Sequence, residues 1–142
     1  MKTIFLFVFT AMMQPMPLYA AGRFTVNDAY TVSDTVSGLM WQRRDDATQR
    51  AWQNALAYCE GLGLGGYFDW RLPNVKELTS IVEYQRTSYT MIDSVAFPNT
   101  QTSDYWSSSP HASFASSAWY VNFVLSVGHL GKSNTRYVRC VR

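Results

Sequence analysis

Apolar and polar positions alternate in short runs at both ends of the chain and follow a helical period in between. From Phe24 to Val36, apolar and β-branched residues are broken by polar ones around Asn27-Asp28, which predicts one or two short strands. Ser37-Gly38 turns the chain into Leu39-Met40-Trp41-Gln42, another short apolar strand. Arg43 to Thr48 is a charged loop that offers Asp45, Asp46 or Thr48 as a helix cap. A helix is predicted over Gln49 to Glu60, where Trp52, Ala55, Leu56 and Cys59 fall at i, i+3, i+4 and i+7. Gly61 is its stop signal.

The stretch Gly65 to Leu78 reads GGYFDWRLPNVKEL. Gly65-Gly66 permits a tight turn, and Tyr67, Phe68 and Trp70 form an aromatic wedge. Asn74 caps a second helix, Glu77 is its capping-box partner three residues on, and Pro73 keeps the chain from entering the helix early. Leu78, Ile81 and Val82 make that helix's apolar face. After about Gln85 the helical period is lost. Thr87 to Asp104 is polar and loop-like, with Phe97-Pro98-Asn99 inside it. Tyr105 to Ser109 predicts a strand, and Ala118 to Val127 another, with Trp119, Val121, Phe123 and Leu125 alternating against Tyr120, Asn122 and Val124. Gly128 to Asn134 reads as a turn, and Arg136 to Val141 closes the sheet. Helices early and an antiparallel sheet completed late define an α+β domain.

The first residues set the compartment. Lys2 precedes an apolar run from Ile4 to Met13, Pro15 and Pro17 interrupt it, and Leu18-Tyr19-Ala20 ends on a small residue. This is the pattern of a secretory signal over residues 1–20, too short to span a bilayer, so residues 21–142 are expected as one exported domain. The destination is the periplasm, the cell surface or the medium. Export gives the two cysteines a reading: Cys59 and Cys140 are expected to form one disulfide. Closing a loop of about 80 residues is worth about 4 kcal/mol in the chain-entropy model. A zinc site from Cys59, Cys140, His111 and His129 would need cysteine spacing that the chain lacks.

Charge adds an asymmetry. Residues 21–104 carry seven Lys/Arg and ten Asp/Glu, whereas residues 105–142 carry Lys132, Arg136, Arg139 and Arg142 and no acid. The near-neutral total gives no reason to expect nucleic acid as a partner. The late cations suit sulphate and carboxylate groups. Lys132, Arg136, Arg139 and Arg142, with His129 and Trp119, are therefore the expected ligand-binding residues for an anionic ligand.

Several motifs carry a resemblance. Gly38 to Gln42, Trp52 with Ala55 and Cys59, GGYFDWRLPNVKEL, Ile92-Asp93 with Phe97-Pro98, Tyr105 to Ser109, and Val138 to Arg142 occur in this order over nearly all of residues 21–142. Together they resemble the domain family typified by the C-terminal domain of the Legionella collagen-like adhesin. The resemblance implies a C-type-lectin-like fold, with two helices packed on a twisted antiparallel sheet and a disulfide from the first helix to the last strand. It also implies a head similar to one that trimerises and binds sulphated glycosaminoglycans, so a homotrimer is one expectation, although the collagen stalk that enforces it is not in this chain. Asp69, Trp70, Arg71, Pro73 and Trp106 are expected to be architectural: Asp69 organising its turn, Arg71 bonding loop carbonyls, and the tryptophans and Tyr67 buried.

Metal and catalysis are weighed the same way. Calcium-dependent lectins of this fold use an acid or amide beside a proline, and here Phe97 stands in that place. Calcium prefers several carboxylate oxygens, and none follows Asp104, so no metal or other cofactor is expected. His111 and His129 have no late carboxylate to complete a triad, and no enzymatic activity is expected. The sequence therefore points to a binding module for anionic glycan. The alternative is a pilus-associated or surface-assembly protein that docks protein partners through its late loops.

Overall fold

The computed structural model describes residues 22–84, 89–124 and 126–142. The expected signal segment lies outside them, and so does Leu125 of the expected late strand. In chain order the elements are β1 (Phe24–Val26), β2 (Thr31–Asp34), β3 (Met40–Gln42), β4 (Arg50–Ala51), α1 (Trp52–Glu60), α2 (Val75–Ser80), β5 (Asp104–Pro110), β6 (Ser117–Asn122), β7 (Ser126–Gly131) and β8 (Thr135–Arg136). The fold is α+β, with two helices beside antiparallel ladders. These ladders form three small sheets, β1-β2-β3, β4-β8 and β5-β6-β7.

Local chemistry explains most boundaries. The β1–β2 turn is closed by Asp28, whose Oδ1 accepts from the Tyr30 and Thr31 amides at 2.7 and 2.6 Å. Helix α1 begins three residues later than its periodicity predicts, and none of Asp45, Asp46 or Thr48 caps it. Arg50 and Ala51 pair instead with Arg136 and Thr135. The Trp52 amide, which a cap would have satisfied, donates to the Lys132 carbonyl at 3.0 Å. A tertiary partner replaces the local cap. Helix α2 starts as its sequence predicts: the Asn74 side chain accepts from the Glu77 amide at 2.8 Å. Gly65 and Gly66, at φ +62° and +81°, make the turn that brings Leu64 and Tyr67 into a bridge.

The late sheet corrects the expected strand and turn. β6 ends at Asn122, whose side chain accepts from the Val124 amide at 2.8 Å in a tight Asx turn. The segment read as a turn from Gly128 onward is largely strand β7, paired with β6 in the register Trp119↔His129 and Tyr120↔Gly128. Gly128 is there because the Tyr120 ring lies over it: a Cβ would come within 2.6 Å of the hydroxyl. Residues 135–142 also depart from expectation. Only Thr135–Arg136 is strand, and the rest runs between sheets, bridging Tyr137 to Tyr105 and Val141 to both Trp41 and Arg71.

Two buried clusters hold these layers. One gathers Val32, Trp41, Leu78, Ile81, Phe97, Tyr105, Val121, Phe123 and Val141 between the first sheet, α2 and the late sheet. The other packs α1 through Trp52, Ala55 and Cys59 onto Trp70, Trp106, Ala118, Val138 and Cys140. Each large side chain so buried contributes about 2–3 kcal/mol. The Cys59–Cys140 disulfide forms within the second cluster, as expected.

Candidate functional site

The arginines after Asp104 do not form one patch. Arg136 Nε donates to Asp104 at 2.8 Å. Arg142 makes a two-pronged contact with Asp69, at 2.6 and 3.1 Å, and lies 3.8 Å over the Tyr67 ring. That hydrogen bonding holds the Asp69 carboxyl below its usual range. Arg139 is 0% exposed. Its guanidinium donates to the Gln42 and Arg43 carbonyls, both at 2.8 Å, to Asp45 at 3.1 Å and to Thr100 at 2.9 Å. Tyr105 also donates to Asp45, and burial pushes that phenol far above its ordinary range. Arg139 is therefore a core residue and no ligand contact, which corrects the sequence reading. The acids missing from residues 105–142 are supplied from upstream, at Asp45, Asp69 and Asp104.

Lys132 stands apart from the arginines. Its Nζ donates to the Ala115 carbonyl at 2.8 Å and lies 4.3 Å over Trp52. Its amide donates to the Ser116 carbonyl at 2.8 Å. It thus pins the loop between β5 and β6 and keeps two ammonium donors at the rim of the sheet. Its place over Trp52 sets Lys132 on the side of Leu130, which packs on the same cluster, opposite His129.

On the His129 face, two of the expected ligand residues do meet. Trp119 and His129 are direct cross-strand partners, with rings 5.7 Å apart at 72°. The loop 111–116 folds two more rings onto them. His111 stacks on Trp119 at 5.0 Å and 26°, and Phe114 stacks on His129 at 5.5 Å and 12°. The two imidazole centroids are 4.1 Å apart. Loop closure is ensured by His111 N donating to Ser117 O at 3.0 Å and Ser117 N donating to Phe114 O at 2.8 Å. His111 Nδ1 accepts from the Ser113 amide at 3.2 Å, which assigns the neutral ring's proton to Nε2. Phe114 is 56% exposed, and His129 is exposed as well.

This end of the sheet carries no acid: residues 105–134 contain no Asp or Glu. Asp104, at the opposite end of β5, is about 20 Å away along the strand. Neither imidazole is ion-paired among the described residues. The arrangement offers aromatic faces and imidazole donors to a ligand, without a carboxylate to orient either ring as a general base. Sequence reasoning found Trp119 and His129. It set His111 aside and passed over Phe114, because their placement depends on where the hairpin turns.

Other expected positions resolve individually. Trp41, Trp52, Trp70 and Trp106 are buried, while Tyr67 is 39% exposed beside an 80%-exposed Phe68, so the wedge is only partly internal. Arg71 bonds Glu77 in a two-pronged pair, at 2.7 and 3.1 Å, rather than loop carbonyls, and Asp69 serves Arg142 rather than its own turn. Pro73 contributes its carbonyl to the Ser108 amide at 2.8 Å, tying the α2 entry to β5. In the triplet compared with calcium ligands, Phe97 is core and the Asn99 amide is spent on Asp45. Among the described residues, no three His, Cys, Asp or Glu side chains group as a metal site.

No curated protein matches the chain. The family model of the Lcl C-terminal domain matches residues 30–142, from the β1–β2 turn through the bridging segment 135–142. With four-fifths of its length matched, disulfide and buried aromatic frame included, the chain belongs to the Lcl C-terminal domain family.

Proposed function

We propose that this protein is an exported, non-catalytic recognition domain of C-type-lectin-like fold, adhesin-like in role, that binds anionic, sulphated glycan at a cell surface or matrix. Membership in the Lcl C-terminal domain family supports the adhesin-related part of this reading. The observation that carries the glycan part is the acid-free end of the late sheet. There Trp119, Phe114, His111 and His129 are exposed or half-exposed together, with Lys132 at the rim. Aromatic faces accept the C–H faces of sugar rings, imidazole and ammonium groups donate to sulphate oxygens, and no carboxylate repels the ligand. Because such contacts lie in solvent, each is worth about 1 kcal/mol and affinity comes from several acting together.

The test is a glycan array followed by heparin chromatography of the wild type and a Trp119→Ala/Phe114→Ala/Lys132→Ser variant. The wild type is expected to be retained and to elute with moderate salt, since screening shortens to about 8 Å near physiological ionic strength. The folded variant is expected to pass through. Equal retention of the two would remove this site from the reading. Exposed Tyr84, Val124 and Val127, at the Asn122 end of the sheet, favour a second reading, in which late loops dock a pilus or surface-assembly protein. Absence of glycan binding with capture of a purified pilus subunit would select it.

A further inference from the structure

We propose that His111 and His129 act as one proton-linked subsite for the acidic group of the glycan, a sulphate ester or a uronate carboxylate, so that binding takes up a proton. This rests on the glycan reading above and adds a mechanism to it. Ring centroids 4.1 Å apart put two imidazolium charges close enough to disfavour each other. An anion bridging the outer edges of the two rings removes that penalty, because each charge then has an opposite partner. His111 is already set for this, since the Ser113 amide occupies its Nδ1 and leaves Nε2–H as the outward donor. The same tautomer withholds the Nε2 lone pair that a metal ion would need, which is why an anion fits the pair better than a cation.

Nothing else on the surrounding elements competes for the role. The loop 111–116 and β7 contribute no titratable side chain besides these two histidines. On β6, Tyr120 lies on the opposite face, over Gly128. Lys132 is also on the opposite face, over Trp52. Helix α2, which packs on β5 and β6, brings Lys76 and Glu77, and Glu77 is engaged by Arg71 and Asn74. The pair is thus left with no free carboxylate from these elements, and an incoming anion is its natural counter-charge.

The experiment is isothermal titration calorimetry of the disulfide-bonded protein with a defined heparin octasaccharide at pH 6.0, in two buffers of different ionisation enthalpy. The expected result is uptake of between about one half and one proton per site, with affinity rising roughly three- to tenfold per pH unit of acidification. His111→Asn and His129→Asn should each bind more weakly at pH 6.0 and lose the uptake. A merely structural role would lower stability without changing the proton count. Titrating the imidazole protons by NMR gives a second readout on unmodified protein: both rings should protonate at higher pH with the octasaccharide present than without it. An unsulphated heparosan octasaccharide distinguishes the anion, since uptake with it assigns the carboxylate and uptake with heparin alone assigns the sulphate. Tight binding with no proton uptake, or unchanged uptake in a folded double variant, overturns the inference while leaving glycan binding intact. Failure to bind either oligosaccharide at any pH overturns the glycan reading and this inference with it.

Discussion

Replacing Arg139 by methionine separates a core role from a ligand role. Four of its guanidinium hydrogen bonds reach Gln42, Arg43, Asp45 and Thr100, and only Nε lacks a partner. The guanidinium also lies 4.9 Å over Phe97. Methionine fills much of the same space, but it leaves two carbonyls and the Asp45 carboxylate facing apolar rings. Removing one partner of a buried ion pair costs about 3–5 kcal/mol, a large share of a domain's usual 5–15 kcal/mol. Asp45 keeps donors from Tyr105, Asn99 and the Ala47 amide, which favours the lower half of that range. Urea unfolding should show the midpoint falling with an unchanged slope. Adding Asp45→Asn removes the stranded charge, so the double variant should lose at least about 1 kcal/mol less than the sum of the two singles. A loss below about 1 kcal/mol for Arg139→Met, or strict additivity, would refute the argument. So would an Arg139→Met protein of wild-type stability that no longer binds heparin.

Three further outcomes follow from other contacts. Burial alone would raise the Asp34 carboxyl, but hydrogen bonds from Arg23, Ser37 and the Val36 amide outweigh it and hold it at about 2. A folded value below the unfolded 3.8 adds stability that is present above that pH and lost as pH falls from 3.8 towards 2; after screening at the part-exposed Arg23 it amounts to about 1–2 kcal/mol. Urea midpoints between pH 5 and pH 2 should show this loss in wild type and a smaller one in Asp34→Asn. The purified protein should contain no titratable thiol, and Cys140→Ser should lower its unfolding free energy by about 2–4 kcal/mol, since the bond closes a separation of 81 residues. Binding to immobilised heparin should be the same in EDTA and in calcium; loss in EDTA that calcium restores would contradict the assignment of Phe97 to the core and of the Asn99 amide to Asp45.

The sequence made the local chemistry legible and hid the long-range pairing. Asn74 with Glu77, Gly65-Gly66, and the stripe of Trp52, Ala55 and Cys59 depend on neighbours within a few residues, and each stands as read. The start of α1 was not legible, because its first amide is satisfied by Lys132, 80 residues away in the chain. Gly128 misled for a similar reason: its partner is the Tyr120 ring across a ladder, and a turn reading sees only glycine. Charge counting failed most clearly. Three arginines in an acid-free stretch suggest cations open to a ligand, yet each faces an acid 32, 73 or 94 positions earlier. Of the expected ligand residues, Trp119 and His129 are the two whose rings meet, through a cross-strand pairing.

The bridging of residues 135–142 also sets when the protein can fold. Met40, Gln42, Asp45 and Arg71 each hold a partner between Arg139 and Arg142, and the contacts span as many as 102 positions. A nascent chain lacking those eight residues has open edges on β3 and β4, an uncovered Trp41 and no counter-charge for Asp45. It cannot close its core, and contacts of such long range form slowly. Translation therefore delivers an unclosed chain almost to the last codon of this segment. Products released early by the ribosome never reach the protease-resistant state, so degradation removes them.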